Sequence, residues 1–155
     1  MSQEDSQPSF AEMINAALEH TIPVAHKMGV TALEARPGYA RTRVPIEGNG
    51  NHFGVMYAGV LFTVAEVLGG IIPMATFDNS RFYPLVKDLQ ITFKRAAKTD
   101  VEAEAKLDEE SIARIASAAD ANGKADFTLD AAITDAAGEV VATTHGIYQL
   151  RAHGR

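Results

Sequence analysis

Apolar positions recur at helical spacing through Phe10, Met13, Ile14, Ala17 and Leu18, behind Ser9 and Glu12 at capping-box spacing, which predicts an amphipathic first helix. Pro23 interrupts this pattern near Thr21, and Gly29 follows Val24 and Met28, so a short second turn of helix precedes the first strand. From Gly29 to Ile46 two extended runs are punctuated by Arg36-Pro37-Gly38. The second alternates Ala40, Thr42, Val44 and Ile46 with Tyr39, Arg41, Arg43 and Pro45, the pattern of a hairpin. Glu47 to Gly54 holds three glycines and two asparagines, a loop composition. It feeds an apolar helix from Tyr57 to about Thr76. The 25 residues from Phe53 to Phe77 carry a single charge, Glu66, and are long enough to span a bilayer. Gly54, Gly59, Gly69, Gly70 and Pro73 interrupt the stretch and alternating strands follow it, so a buried core helix is the expectation.

In the second half Leu85, Leu89, Ile91 and Phe93 alternate with Val86, Asp88, Gln90, Thr92 and Lys94, and Val101, Ala103, Ala105 and Leu107 alternate with Glu102, Glu104 and Lys106. A short helix is expected between Glu109 and Asp120 through Ile112, Ile115 and Ala119, stopped by Asn122-Gly123. Two further strands flank Asp135-Ala136-Ala137-Gly138, the first pointing Phe127, Leu129, Ala131 and Ile133 one way. Strands with one apolar face make a mostly antiparallel sheet whose inner face must be covered. Twenty helical residues reach roughly 30 Å, comparable with six strands at about 4.8 Å each. The prediction is an α+β domain over residues 9–155, a long central helix wrapped by a six-stranded sheet, after a disordered lead-in over residues 1–8.

At 155 residues and 46% apolar content, the chain fits one domain with a real core. Fourteen basic against twenty acidic side chains give a formal charge of −6, which argues against nonspecific nucleic-acid binding. The absence of cysteine excludes disulfides, thiolate-zinc sites, iron-sulfur clusters and a cysteine nucleophile. His20, His26, His145 and His153 lack metal-ligand spacing, so no metal is expected. The acidic, polar start Met1 to Gln7 is unlike a secretory signal, and a cytoplasmic protein is the expectation.

Glu66 is the informative residue, because a carboxylate in an uncharged apolar helix loses several kcal/mol of hydration unless it is partnered or lines a cavity. Burial raises its pKa toward neutrality, which suits a general base or a nucleophile. Thr63, one turn earlier, is placed to share the same polar notch. At the helix start Ala58 and Gly59 have backbone N–H groups without intrahelical partners, donors able to polarise a carbonyl. Glu66 lies eight residues beyond Ala58, about 12 Å along the axis. That is too far for both to meet one carbonyl within a subunit, so a site shared between two chains is the natural arrangement.

The run Asn51-His52-Phe53-Gly54-Val55-Met56-Tyr57-Ala58-Gly59-Val60-Leu61-Phe62-Thr63-Val64-Ala65-Glu66 resembles the signature of the hotdog-fold acyl-CoA thioesterases, in particular the phenylacetate-pathway type. Asn51, Gly54, Gly59 and Glu66 match by position, and the element order resembles that fold from about Gly29 to Leu150. The resemblance implies a hotdog fold, a homodimer or homotetramer, an acyl-CoA substrate and no cofactor, nucleic-acid or membrane partner. It implies Glu66 as nucleophile or base, the Ala58 N–H as carbonyl-oxygen donor across the dimer interface, and Asn51 as the group positioning substrate or water. His52, Gly54, Tyr57, Gly59 and Thr63 would line the substrate site, with the acyl chain against Val55, Met56, Leu61 and Phe62. Lys94, Arg95 and Lys98, with Arg81 and Lys87, would receive the coenzyme A phosphates. Two departures stand out: Tyr57-Ala58 replaces the usual His-Gly, and a glutamate stands where aspartate is common. A noncatalytic acyl-CoA-binding module is the alternative from another class. A 3-hydroxyacyl dehydratase also echoes His52-Phe53 and Gly59-Val60-Leu61, but its acid falls where this sequence has Val64, about 200° around the helix from Glu66.

Overall fold

The computed structural model describes residues 6–154, so the first five positions of the expected lead-in lie outside the described residues. Ser9 caps helix α1 (Phe10–Thr21): its hydroxyl accepts from the Glu12 N–H at 3.1 Å and the Glu12 carboxylate accepts from the Ser9 N–H at 2.9 Å. Pro23 opens α2 (Pro23–Met28) where its missing N–H would have no helical partner anyway. Asn15, unremarkable in the sequence, fixes α1 to strand β1 (Thr31–Arg36) with both ends of its carboxamide. Its Nδ2 donates to the Ala32 carbonyl at 2.9 Å and its Oδ1 accepts from the Ala32 N–H at 2.7 Å.

Strand β1 turns at Pro37-Gly38 into β2 (Tyr39–Val44), the predicted hairpin. The central helix follows as α3 (Ala58–Glu66) and α4 (Leu68–Thr76), then come β3 (Phe82–Phe93), β4 (Val101–Lys106), α5 (Glu109–Asn122), β5 (Lys124–Asp135) and β6 (Val140–Ala152). The six strands form one sheet in the order β1-β2-β4-β5-β6-β3, every neighbouring pair antiparallel. The central helix lies on its inner face, as the hotdog fold requires. Val64, Leu68 and Ile72 from the helix are fully buried in one core with Ala40, Val44, Ala103 and Ile133 from the sheet. Alanines at these inner positions let the helix lie close. Although the segment Ala58–Thr76 is long and apolar enough to cross a bilayer, here it is the core helix.

The central helix runs through Val67 as predicted: Val67 keeps right-handed helical dihedrals, its N–H donates to the Thr63 carbonyl at 3.2 Å and its carbonyl accepts from the Ile71 N–H at 3.0 Å, so α3 and α4 make one helix of 19 residues, Ala58–Thr76. Gly69 and Gly70 are weak helix formers, and Pro73 inside α4 has no N–H to give the Gly69 carbonyl. Sheet side chains donate to carbonyls midway along it: the buried Thr42 hydroxyl to Val64 at 2.7 Å and the Tyr148 hydroxyl to Glu66 at 3.5 Å. One detail departs from the sequence reading, a bulge in β3, where Val86 and Asp88 oppose consecutive residues Tyr148 and Ile147. The extra residue, Lys87, reverses the alternation, so Leu85 opposes Gln149 while Leu89 opposes Gly146, on the other face.

Candidate functional site

The chain between β2 and α3 is folded on itself. Asn51 N–H donates to the Val55 carbonyl at 2.7 Å, and Gly54, at φ 76°, returns an N–H to the Asn51 carbonyl at 3.0 Å. The Asn51 carboxamide oxygen accepts from the N–H groups of Phe53 at 2.9 Å and Val55 at 3.4 Å. Asn51 thus shapes the loop with its carboxamide oxygen. His52 and Phe53 are exposed at its tip with ring centroids 4.0 Å apart.

Asn49, which the sequence reading passed over as one loop asparagine among two, is the buried anchor of this segment. Its Nδ2 donates to the carbonyls of Met28 at 2.7 Å and Pro45 at 2.8 Å, and its own carbonyl accepts the Tyr57 N–H at 2.8 Å. One residue, through its side chain and its backbone carbonyl, thus ties the ends of α2 and β2 to the start of α3. Asn49→Ala removes both donors from two carbonyls and is expected to cost about 2 kcal/mol. The check is urea unfolding, with a lower midpoint and an unchanged slope.

Tyr57 is the N-cap of α3, exposed, without a side-chain capping bond. Its ring covers Gly59, where a Cβ would sit 2.8 Å from the ring edge. Ala58 and Gly59 are the first two residues of the helix, so their N–H groups point out of its end. The Thr63 hydroxyl donates to the Gly59 carbonyl at 2.8 Å, within its own helix.

Glu66 is the last residue of α3 and lies in the wall of a cavity of about 610 Å³. The walls are apolar: Met13, Ile14 and Ala17 of α1, Ile71 and Met74 of α4, Val86 of β3. Among the described residues no hydrogen-bond donor or cation meets the Glu66 carboxylate. No described buried side-chain oxygen lacks a partner either, so the carboxylate oxygens reach the open space of the cavity. Burial pushes the Glu66 pKa above the ordinary 4.5, the only cause of its shift. The Tyr148 phenol lines the same cavity, and burial, followed by the Glu66 charge, raises its pKa, which keeps it a neutral donor.

Tyr148 is the residue the sequence reading missed. Its ring is held between two glycines: a Cβ on Gly69 would fall 1.8 Å from ring carbon Cε1, and one on Gly146 2.4 Å from Cε2. Phe127 stacks on the ring at 5.7 Å. A Gly-Gly pair inside an apolar helix was the available signal, since glycine there is unfavourable unless something packs against it.

Of the expected acyl contacts near the helix start, Met56 and Leu61 are buried in the core, while the apolar cavity beside Glu66 lies between α1, α4 and β3. The basic cluster is also dispersed. Arg81 pairs with Asp120 at 2.6 Å, Lys87 with Asp126 at 2.7 Å and Arg95 with Glu139 at 3.3 Å. Lys94 and Lys98 are exposed and have no ion pair among the described residues.

Comparison with known proteins follows the same lines. Residues 11–148 match the family model described as "Domain of unknown function (DUF4442)". A crystal structure from Pseudomonas aeruginosa, described as a protein of unknown function and probable thioesterase, is 44% identical with a TM-score of 0.87, covering 95% of this chain and 99% of that one. A protein of unknown function from Chlorobaculum tepidum is 17% identical at a TM-score of 0.80, covering 91% of this chain and 93% of its own. A mutant thioesterase, also from Pseudomonas aeruginosa, is 15% identical at 0.74, with 96% and 97% covered. The last two share the fold. No curated protein matches the chain.

Proposed function

Since the chain belongs to the family described as a domain of unknown function (DUF4442), on a hotdog fold shared with proteins named as thioesterases, we propose that it hydrolyses acyl-CoA thioesters with Glu66 as the reacting carboxylate. The observation that carries this reading is an unpartnered carboxylate in the wall of an apolar cavity, its pKa raised by burial alone. Such a group is held in a more basic state than an exposed glutamate and beside a space that excludes water from an apolar ligand.

Two courses fit this placement. As a general base Glu66 takes a proton from water, whose oxygen forms the new bond to the thioester carbon while the C–S bond breaks and the proton passes to the leaving thiolate. As a nucleophile its carboxylate displaces the thiol, giving a mixed anhydride that water opens. Either course builds charge on the carbonyl oxygen, and the free Ala58 N–H at a helix start is suited to hold it; an alanine serves as well as a glycine because only the backbone acts. Ala58 and Glu66 bound α3, so the amide working with one Glu66 comes from a second subunit. This reading thus includes a homo-oligomer. Asn51 keeps the loop before that helix start in shape, and His52, Gly54, Tyr57, Gly59 and Thr63 surround it. Lys94, at the end of β3, is available to a coenzyme A phosphate, whereas Arg95 would first have to leave Glu139.

The comparisons carry the thioesterase-like superfamily and not its phenylacetate-pathway branch, so the substrate is proposed at the level of acyl-CoA thioester. The dehydratase alternative needs an acid where Val64 is sealed in the core. The test is thiol release from short, long and aromatic acyl-CoA thioesters by the native chain and Glu66→Gln. Release lost in the variant supports the reading. Tight acyl-CoA binding with no release by the native chain would favour the noncatalytic module.

A further inference from the structure

The cavity beside Glu66 owes one whole wall to α1. Phe10, Met13, Ile14, Ala17, Leu18 and Thr21 all line it, at spacings of one helical face. From Phe10 to Thr21 this wall is about 17 Å long. Ala11 and Leu18 are buried and the Asn15 carboxamide grips the Ala32 backbone, so α1 is fixed in place. Yet Met13, Met74 and Val86, which face the cavity from three different elements, remain 49%, 41% and 44% exposed. The described structure leaves an apolar trough open, and its ionisable lining groups are Glu66 and Tyr148 alone.

We propose that α1 is the acyl-selecting wall of this site, and that the acyl group it takes is a long, neutral aliphatic tail. The inference rests on the thioesterase reading and extends it to a substrate class. A volume of about 610 Å³ is several times the roughly 150 Å³ that holds one benzene, so an acetyl or phenylacetyl group would leave most of the trough unfilled. Among the described residues no cation lines it, so a tail ending in a second carboxylate would meet Glu66 without a counter-charge. Met13 and Met74 give the wall flexible, polarizable side chains that follow a tail of variable conformation. Ala17 is the small residue midway along the wall, between Ile14 and Thr21, and it leaves the space open.

The experiment compares kcat/KM for acetyl-, phenylacetyl-, octanoyl- and dodecanoyl-CoA in the native chain, Ala17→Trp and Met13→Trp. Both positions are exposed on α1, and circular dichroism confirms that each variant folds. In parallel, calorimetry measures dodecanoyl-CoA binding to Glu66→Gln with and without Ala17→Trp. The expected result is a native preference for the long thioesters, with a dodecanoyl-over-acetyl ratio that falls at least about tenfold in either tryptophan variant. A native preference for acetyl or phenylacetyl, or an equal loss on all four substrates, overturns the proposal while leaving the thioesterase reading intact. If the native chain cleaves none of them but dodecanoyl-CoA binds Glu66→Gln and Ala17→Trp weakens that binding about tenfold, the hydrolytic reading fails and the acyl wall stands. A change of oligomeric state in Ala17→Trp by sedimentation, with an unaltered acyl profile, overturns the proposal by showing that a second copy covers α1.

Discussion

Gly69→Ala lowers the melting temperature by about 4–8 °C, whereas Gly70→Ala, one residue later in the same helix, raises it by about 2–4 °C. A methyl on Gly69 would fall 1.8 Å from Cε1 and 2.2 Å from Cζ of Tyr148. Those are atoms of a rigid ring whose opposite edge rests against Gly146, so the ring has no free direction in which to yield. Overpacking of this kind costs about 1–3 kcal/mol or more. The clash is at the severe end, and the helix propensity gained by replacing glycine offsets about 1 kcal/mol of it. A methyl on Gly70 meets nothing within 4 Å, so there the propensity gain stands alone. For a chain of this length each kcal/mol moves the melting temperature by about 2–4 °C. Tyr148→Ala removes the ring, and in that background Gly69→Ala should lose its penalty, a coupling that a double-mutant cycle reads directly.

The second large effect is at Glu66. Glu66→Gln keeps the shape of the side chain and removes its basicity, so kcat for thiol release falls by about 10²–10⁴ with little change in KM. The same substitution has a signature in stability that does not depend on knowing the substrate. The folded-state pKa of Glu66 lies above its ordinary 4.5, so between those two values the folded chain binds more protons than the unfolded one. Its contribution to stability is therefore intact below 4.5 and declines as pH rises through the folded pKa. Glutamine escapes that decline. Relative to the native chain, Glu66→Gln gains stability on going from pH 4 to pH 8, measured by thermal unfolding in matched buffers. A variant both inactive and more stable at pH 8 fits a carboxylate kept for its chemistry; no gain would mean that the folded chain solvates Glu66 as well as water does. For the native enzyme the acid limb of kcat/KM then lies closer to neutrality than that of an exposed glutamate.

The local signals in the sequence were reliable where one neighbour decides the geometry. The Ser9–Glu12 cap, the turn at Pro37-Gly38 and the stop at Asn122-Gly123 each satisfy backbone groups within a few residues. The alternating strands of the second half predicted the inner face correctly through Phe127, Leu129 and Ile133. Alternation failed at Lys87 because both Leu85 and Val86 are apolar and either parity reads well there; the pairing of β3 with β6 decides it. Glu66 stood out as the single charge in an apolar run. Its surroundings did not, since they come from α1, β3 and β6, elements whose approach no local pattern encodes. On the face of α1 that reads as core, Leu18 is buried, whereas Met13 and Ala17 line the trough and stay exposed. Asn15 and Asn49 have the composition of surface residues, and only the carbonyls they meet reveal their work.

The composition of the central helix also bears on how the chain reaches its native state. Gly69 and Gly70 each cost about 1 kcal/mol relative to alanine in a helix interior, and Pro73 costs about 3 kcal/mol. The helix is therefore not a self-sufficient starting point. The sheet that must receive it pairs Phe82–Phe93 with Val140–Ala152, and Tyr39–Val44 with Val101–Lys106, partners far apart along the chain. Closing such loops comes before any reward from packing, which places refolding in the slow, millisecond-to-second regime of nonlocal topologies. The β5–β6 hairpin, joined by the Asp135–Gly138 turn, is the long strand pair that a short loop closes.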